Sequence, residues 1–204
     1  ILSEVCSRAL APRKRETVAE WADRCRRLRT SAGIERHRTD RTPYITGVLE
    51  AWLDPRVTQI ALMFATQTGK TECLLTCMLY DVCNRPADCI FSLANETQAR
   101  RVARGRLFPS IYQSPEIRSC LLGSKKDQSV EEMQFAGMTL YMAWAQSEAQ
   151  LASIPATRYF GDEIDKWPPG AKERFLQRTK AAHEPKGMLT SSPSNAGEGI
   201  AGEY

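Results

Sequence analysis

The sequence lacks the main signatures of membrane-spanning, secreted and zinc-binding proteins. Its longest strongly apolar run, Ile60 to Ala65, is far too short to cross a bilayer, and no charged-then-apolar signal segment opens the chain. The chain has only two histidines, and its seven cysteines form no CxxC pair. It contains no internal repeat and no low-complexity tract. We therefore expect a soluble intracellular domain with reduced cysteines and no membrane partner.

The composition is that of an ordinary globular domain. A length of 204 residues is enough for one sizeable domain or at most two small ones. With 42% hydrophobic and 25% charged residues, the chain is not disordered, collagen-like or a coiled coil. Because the first residue is Ile1 and not Met, we expect an excerpt of a longer polypeptide.

Positive charge is concentrated near the start of the chain. Residues 8–41 carry eleven Lys or Arg against five acids, although the whole chain has a net charge of only +4. Such a segment can bind nucleic-acid phosphates or an acidic partner, or it can form a solvated helix without a ligand. The segment 8–41 as a whole is the first candidate for a DNA contact, and neutralising Arg24, Arg26 and Arg27 together would test it.

The pattern predicts a basic helical segment over residues 1–42 and a second domain over 43–204. Thr17 is a capping residue for an amphipathic helix that runs to about Leu28. Residues 30–42 are polar, which indicates a connecting segment between two predicted helices. Pro43 is typical of the first turn of a further helix that runs to Leu53.

The second region alternates short apolar strands with helices. This alternation predicts an α/β fold in which helices flank a mostly parallel sheet. A hairpin is predicted over residues 130–144. The predicted strands are Thr58–Phe64, Cys89–Leu93, Thr157–Gly161 and Met188–Ser191, and the predicted helices are Lys70–Cys83 and one from Asn95 to about Phe108.

A phosphate-binding loop is the strongest chemical signal. Thr66-Gln67-Thr68-Gly69-Lys70-Thr71 lies between a predicted strand and a predicted helix, where backbone N–H groups can hold phosphate oxygens. Lys70 would reach the β- and γ-phosphates, and the Thr71 hydroxyl would bind Mg²⁺. The first glycine of the usual GxxxxGK[ST] pattern is missing, because Phe64 stands in its place.

A pair of acids follows a predicted strand 92 positions after Lys70. A phosphate-loop ATPase needs one carboxylate for Mg²⁺ and a second to orient the attacking water. Asp162 is the candidate for the first role and Glu163 for the second. Ser191 and Ser192, at the end of the last predicted strand, are candidates for coupling hydrolysis to movement.

Three stretches of the chain are Met63 to Glu72, Gly161 to Pro168 and Thr190 to Ser194. They resemble the ATPase domain of lambda-type phage terminase large subunits, the GpA family. The segment from Trp21 to Tyr44 is also similar to this family, and the matches follow its order along nearly the whole chain.

The resemblance implies an ASCE-type P-loop NTPase fold and an ATPase motor, with ATP and Mg²⁺ as cofactors, that packages double-stranded viral DNA. The implied partners are DNA, a small terminase subunit and a procapsid portal, and the motor would act as a homo-oligomeric ring. The implied motor would act in the host cell cytoplasm at the procapsid and would not be secreted. A C-terminal nuclease domain is also implied, outside this sequence.

The sequence departs from the family at positions that contact nucleotide. Ile45 follows Tyr44 where relatives often have an adenine-reading Gln, although Tyr44 remains a nucleotide-binding candidate. Residues 57–69 contain no Lys or Arg, and Ile154 stands where Arg is frequent. The arginine that neutralises transition-state charge is therefore unassigned. Its candidates are Arg158 and the run Arg100, Arg101, Arg104 and Arg106, of which Arg158 and Arg101 are our first choices.

Two other functions stay open. One is a different nucleic-acid-stimulated translocase, because it would share the first two motifs. The other is a nucleotide-sensing assembly module without hydrolysis, which the missing arginines would permit.

Overall fold

The computed structural model describes residues 16–123, 129–154, 156–177, 182, 184–193 and 199–203. Its main body is a six-stranded sheet with helices on both faces, preceded by a short helix and a two-stranded hairpin. None of the described helices combines the length and the apolar character that a bilayer crossing requires. The predicted α/β fold with a mostly parallel sheet is confirmed.

The elements are numbered in chain order. The hairpin strands are β1 (Arg27–Thr30) and β2 (Gly33–Arg36). The sheet strands are β3 (Gln59–Met63), β4 (Cys89–Leu93), β5 (Glu132–Phe135), β6 (Met138–Trp144), β7 (Arg158–Asp162) and β8 (Lys186–Ser191). The α-helices are α1 (Val18–Cys25), α2 (Thr46–Leu53), α3 (Lys70–Asn84), α4 (Glu96–Val102), α5 (Phe108–Gln113), α6 (Pro115–Cys120), α7 (Glu148–Ser153) and α8 (Ala171–Gln177). A π-helical turn spans Ala103–Leu107, and short 3₁₀ turns span Thr39–Arg41, Pro43–Ile45, Ile164–Lys166 and Gly199–Glu203.

The strand order is β3-β8-β7-β4-β6-β5. All neighbours are parallel except β5, which pairs antiparallel with β6 in the predicted hairpin. Parallel strands place their carboxyl ends at one edge of the sheet, where ligands bind in open α/β folds. The loops after β3, β7, β4 and β8 therefore meet at this edge.

Two apolar clusters cover the two faces of the sheet. Along β4, Cys89, Phe91 and Leu93 pack with α1, α2, α3 and α5, whereas Ile90 packs on the opposite face with α7 and α8. This alternation follows from the two-residue period of a strand. Because both faces are covered, the central strand β4 is buried at all five positions.

The described part of the N-terminal region differs from the prediction. Helix α1 has the expected Thr17 capping box but ends at Cys25, because Arg26 is extended (φ −73°, ψ 141°) and leads into β1. The predicted connection contains β2, which pairs with β1 through a turn at Gly33 (φ +122°). Pro43 begins a 3₁₀ turn ahead of α2, so the predicted helix starts three residues later, at Thr46.

The long helix predicted after Asn95 is also interrupted. Asn95 caps α4 as expected, but the π-helical turn Ala103–Leu107 separates α4 from α5. The four predicted sheet strands and the helix from Lys70 are confirmed within two residues at each end. The six cysteines within the described residues are free thiols, and Cys6 lies outside them. The division into 1–42 and 43–204 stays a prediction.

Candidate functional site

The phosphate-binding loop connects β3 to α3. Gln67 (φ +59°) and Gly69 (φ +81°) both have left-handed backbone conformations, and Gly69 directly precedes the first turn of α3. A glycine adopts this conformation without steric cost. The N–H groups of the first helical turn have no intrahelical acceptor and carry the positive end of the helix dipole. The loop therefore presents an anion site at the carboxyl edge of the sheet.

Lys70 lies folded over this loop. Its ammonium group donates to the carbonyl oxygens of Phe64 (3.0 Å) and Ala65 (2.6 Å) and to the Ser192 hydroxyl (2.8 Å). The residue is 8% exposed, and this burial lowers the pKa of Lys70. The ammonium group of Lys70 thus links the phosphate loop to the end of β8, and a phosphate group can compete for it.

Asp162 and Thr71 form the candidate magnesium site. The Thr71 hydroxyl donates to Oδ2 of Asp162 (2.6 Å), and the Thr190 hydroxyl donates to Oδ1. Burial raises the pKa of Asp162, whereas the hydrogen bonds from Thr190 and Thr71 oppose that rise. A hydroxyl beside a carboxylate fits Mg²⁺, which keeps several waters and takes phosphate oxygens as further ligands. Among the described residues, no three acidic, His or Cys side chains cluster to form a metal cage.

Glu163 has different surroundings from Asp162. It adopts a left-handed backbone conformation (φ +53°), and its side chain is 39% exposed. Its Oε2 accepts hydrogen bonds from Lys166 Nζ (2.9 Å) and Gln98 Nε2 (3.3 Å). The opposite amide atom, Oε1 of Gln98, is buried without a partner within the described part of the chain. Neither Gln98 nor Lys166 was predicted as a site residue, and only the position of Lys166 three residues after Glu163 is a signal in the sequence.

One cavity of about 640 Å³ joins these groups. Three cations and three carboxylates line it: Arg29, Lys70, Arg106, Glu72, Asp162 and Glu163. The backbone of the phosphate loop and residues Leu28, Thr30 and Ser192 complete its wall. The structure therefore brings together the predicted Thr66, Gln67, Thr68, Gly69, Lys70, Thr71, Asp162, Glu163 and Ser192.

Ser191 and Ser192 connect the last strand to both halves of the site. Ser191 is buried, its hydroxyl accepts from the Asp165 N–H (3.2 Å), and its carbonyl accepts from the Phe64 N–H (3.3 Å). Since Ser192 accepts from Lys70, β8 touches the phosphate loop and the segment after Glu163. This position suits the coupling role that the sequence predicts.

Tyr44 lies beside the phosphate loop. Its hydroxyl donates to the Thr68 carbonyl (3.0 Å), and its ring packs edge-on against Phe64 with centroids 6.0 Å apart. The side chain remains 53% exposed. A nucleotide-binding role for Tyr44 stays a prediction.

The first-choice arginines lie away from the cavity. Arg158 is the first residue of β7, whereas Asp162 is the last, so the two occupy opposite edges of the sheet. The Arg158 side chain is 3.5 Å from Asp81 and donates to the Glu184 carbonyl (2.9 Å). Arg101 is exposed on α4 and is not among the residues that line the cavity. The structure thus gives no support to a catalytic role for either residue, and it brings Arg106 and Arg29 to the cavity instead.

The comparisons with known proteins agree with this geometry. The family described as phage terminase large subunit gpA, ATPase domain, matches residues 31–203. A comparison with curated proteins found no match.

Three solved structures have a similar fold. The large terminase of bacteriophage HK97 is 14% identical, with a TM-score of 0.72 over 91% of this chain and 39% of that one. The large terminase ATPase domain of Thermus phage P74-26 is 14% identical, with a TM-score of 0.52 over 67% of this chain and 60% of that one.

The third structure is the large terminase of a thermophilic bacteriophage in complex with ADP. It is 14% identical, with a TM-score of 0.51 over 72% of this chain and 36% of that one. This chain therefore spans about two-fifths of the HK97 terminase and of the ADP-bound terminase. Identities this low show the shared fold, while the family match covers most of the sequence. The chain belongs to the family of phage terminase large subunit gpA ATPase domains.

Proposed function

We propose that this chain is the ATPase motor domain of a viral terminase large subunit and hydrolyses ATP to drive double-stranded DNA into a procapsid. The observation that carries the proposal is the convergence of Lys70, Thr71, Asp162 and Glu163 on one cavity at the carboxyl edge of the sheet. This is the set of groups that phosphoryl transfer to water requires. The family match supports the same function.

Each group of residues has its own role in ATP hydrolysis. The phosphate loop and Lys70 bind the phosphates, and Tyr44 contributes to nucleotide binding. Thr71 and Asp162 hold Mg²⁺, which neutralises phosphate charge when bound. Glu163 orients a water whose oxygen bonds to the γ-phosphorus while the bond to the ADP oxygen breaks, giving ADP and phosphate. The water's proton leaves through the Glu163 carboxylate.

The contacts of β8 provide a way to couple ATP hydrolysis to movement. Lys70 bonds to the Ser192 hydroxyl in the free protein, and a bound γ-phosphate would compete for this ammonium. Release of phosphate would restore the bond and pull the end of β8 back toward the phosphate loop. Ser191 would pass this movement to the segment after Glu163 through its bond with Asp165.

The partners follow from the proposed motor. We propose that the chain acts on double-stranded DNA with a terminase small subunit and a procapsid portal, in a homo-oligomeric ring in the host cell cytoplasm. A separate nuclease domain of the whole protein would cut the DNA. The greater length of the HK97 terminase and of the ADP-bound terminase supports a larger parent protein.

The DNA-contact surface predicted from sequence needs one revision. Arg26 is completely buried and forms an ion pair with Glu72, so it cannot touch DNA. Arg24 bonds to Glu16 and Glu116 but remains about half exposed. We therefore keep the basic segment 8–41 as the proposed DNA surface and drop Arg26 from it.

A Lys70→Ala variant tests the function directly. We expect it to lose both Mg·ATP binding and phosphate release, because Lys70 is the lysine that reaches the phosphates. Lys172→Ala on α8 is the matched control and should behave as wild type. Phosphate release would be measured with and without double-stranded DNA. Binding that depends on Lys70 without any phosphate release, even on DNA, would contradict the motor and favour a nucleotide-sensing module.

A further inference from the structure

The cavity holds an arginine that the proposed mechanism does not use. Arg106 lines it together with the phosphate loop, Asp162 and Glu163. Its side chain is 51% exposed, and its Nε lies 3.8 Å from Oε1 of Glu72. A separation of 3.8 Å is too long for a hydrogen bond, so this ion pair leaves the Nε–H donor of Arg106 available. Glu72 follows Thr71 directly, which places Arg106 beside the first turn of α3.

The local backbone brings Arg106 to this position. It lies in the π-helical turn Ala103–Leu107, whose two ends are buried in the core. A π turn inserts an extra residue into a helix and changes the direction of the side chains that follow, and such turns are frequent at functional sites. Arg104 lies on the same turn and is exposed, but it does not line the cavity.

The carboxylate of Glu72 is also bonded to a buried arginine. Its Oε2 accepts from Arg26 (3.1 Å), which is completely buried and also bonds to Thr76 and Ser110. Arg26 therefore fixes one oxygen of Glu72, and the other faces Arg106. An ion pair this exposed is weak, so a phosphate can replace Glu72 as the partner of Arg106.

We propose that Arg106 binds the phosphate chain of the nucleotide in its own chain and that Glu72 positions its guanidinium in the free protein. The inference rests on the proposed function, because it requires a nucleotide in this cavity. The three cations of the cavity are balanced by three carboxylates, so the polyphosphate needs every available positive group in addition to Mg²⁺. Arg106 supplies such charge beside a phosphate loop that has no Lys or Arg at residues 57–69.

The test measures affinities of the 204-residue chain for Mg·ATPγS, Mg·ADP, AMP and adenosine by calorimetry. Arg106→Gln should weaken Mg·ATPγS binding by about tenfold or more, weaken Mg·ADP less and leave adenosine unchanged. The loss should shrink as salt is raised, because salt screens an exposed charge. Arg106→Lys should retain part of the affinity, and Arg104→Gln should stay within about twofold of wild type.

Further variants and controls make the result decisive. An Arg106→Gln variant that binds all four ligands like wild type, while Lys70→Ala loses Mg·ATPγS, would overturn the role of Arg106 and leave the proposed function intact. Wild-type binding by Lys70→Ala as well would instead reject the nucleotide site itself. If Arg29→Gln lost Mg·ATPγS affinity and Arg106→Gln did not, the proposal would also be overturned. Thermal unfolding of each variant checks the fold, and Arg106→Lys carries the test if Arg106→Gln is unstable.

Discussion

Two adjacent carboxylates at the end of β7 have different surroundings, and this difference supports the separate roles proposed for them. Asp162 is 2% exposed and accepts from two threonine hydroxyls, so it is fixed in place. Glu163 is more exposed, and Gln98 and Lys166 both bond to the same oxygen, Oε2. The other oxygen is thereby left for a water molecule. The first environment suits a metal ligand, and the second suits a group that orients water.

Gln98 should affect turnover more than binding. Gln98→Ala removes the hydrogen bond to Glu163 Oε2, and Gln98 is not among the described residues that line the cavity. We expect kcat for ATP to fall about tenfold, a fraction of what a general base contributes, with ATP affinity within about twofold. The measurement is steady-state phosphate release together with nucleotide affinity. Thr97→Ala on the same turn is the control, and an equal loss in both variants would show an effect of helix α4 and not of Glu163.

Single residues of the site could be predicted where the chemistry is local in sequence. Lys70, Thr71 and Gly69 belong to one short motif, and the structure places that motif between β3 and α3 in the wall of the cavity. The arginines could not be assigned this way. The position of Arg158 away from the cavity depends on the direction of β7, and the position of Arg106 beside the cavity depends on a π turn that has no clear sequence signal.

At the scale of elements, the hairpin β1–β2 forms one wall of the nucleotide cavity. Its residues Leu28, Arg29 and Thr30 line the cavity. The hairpin was missed because its pairing depends on the turn at Gly33 and on contacts distant in sequence, such as the bond from the Arg27 N–H to the Ser114 hydroxyl. The helix caps at Thr17 and Asn95, which depend on residues only three positions away, were predicted correctly.

The base of the hairpin gives a pH-dependent prediction. His37 is 5% exposed, its Nδ1 lies 2.9 Å from Asp23, and burial together with the nearby Arg26 lowers the pKa of His37. As pH falls below about 6.5, the unfolded chain takes up a proton that the folded chain does not. His37 therefore stabilises the fold above that pH and loses this contribution as pH falls. Urea midpoints at pH 7.5 and 5.5 should differ less in His37→Gln than in wild type. An equal shift of the urea midpoint in both proteins would show that His37 does not cause the pH dependence.

At the scale of the whole molecule, the strand order explains why distant motifs meet. Strand β8 lies between β3 and β7, so Ser191 at its end contacts the segment after Glu163 and Ser192, which follows it, contacts Lys70 of the phosphate loop. The sequence predicted a mostly parallel sheet but not this order, because pairing between strands far apart in the chain has no local signal. The same order places Asp81 and Arg158 at the opposite edge, away from the cavity.

Glu163 is the residue proposed to orient the attacking water in an ATPase motor. This role is tested by phosphate release from Mg·ATP by wild type and Glu163→Gln, with and without double-stranded DNA, alongside ATP affinity. We expect Glu163→Gln to bind ATP like wild type and to lose turnover by about 10² to 10⁴, the contribution of a general base. Unchanged turnover in Glu163→Gln would show that Glu163 does not orient the water.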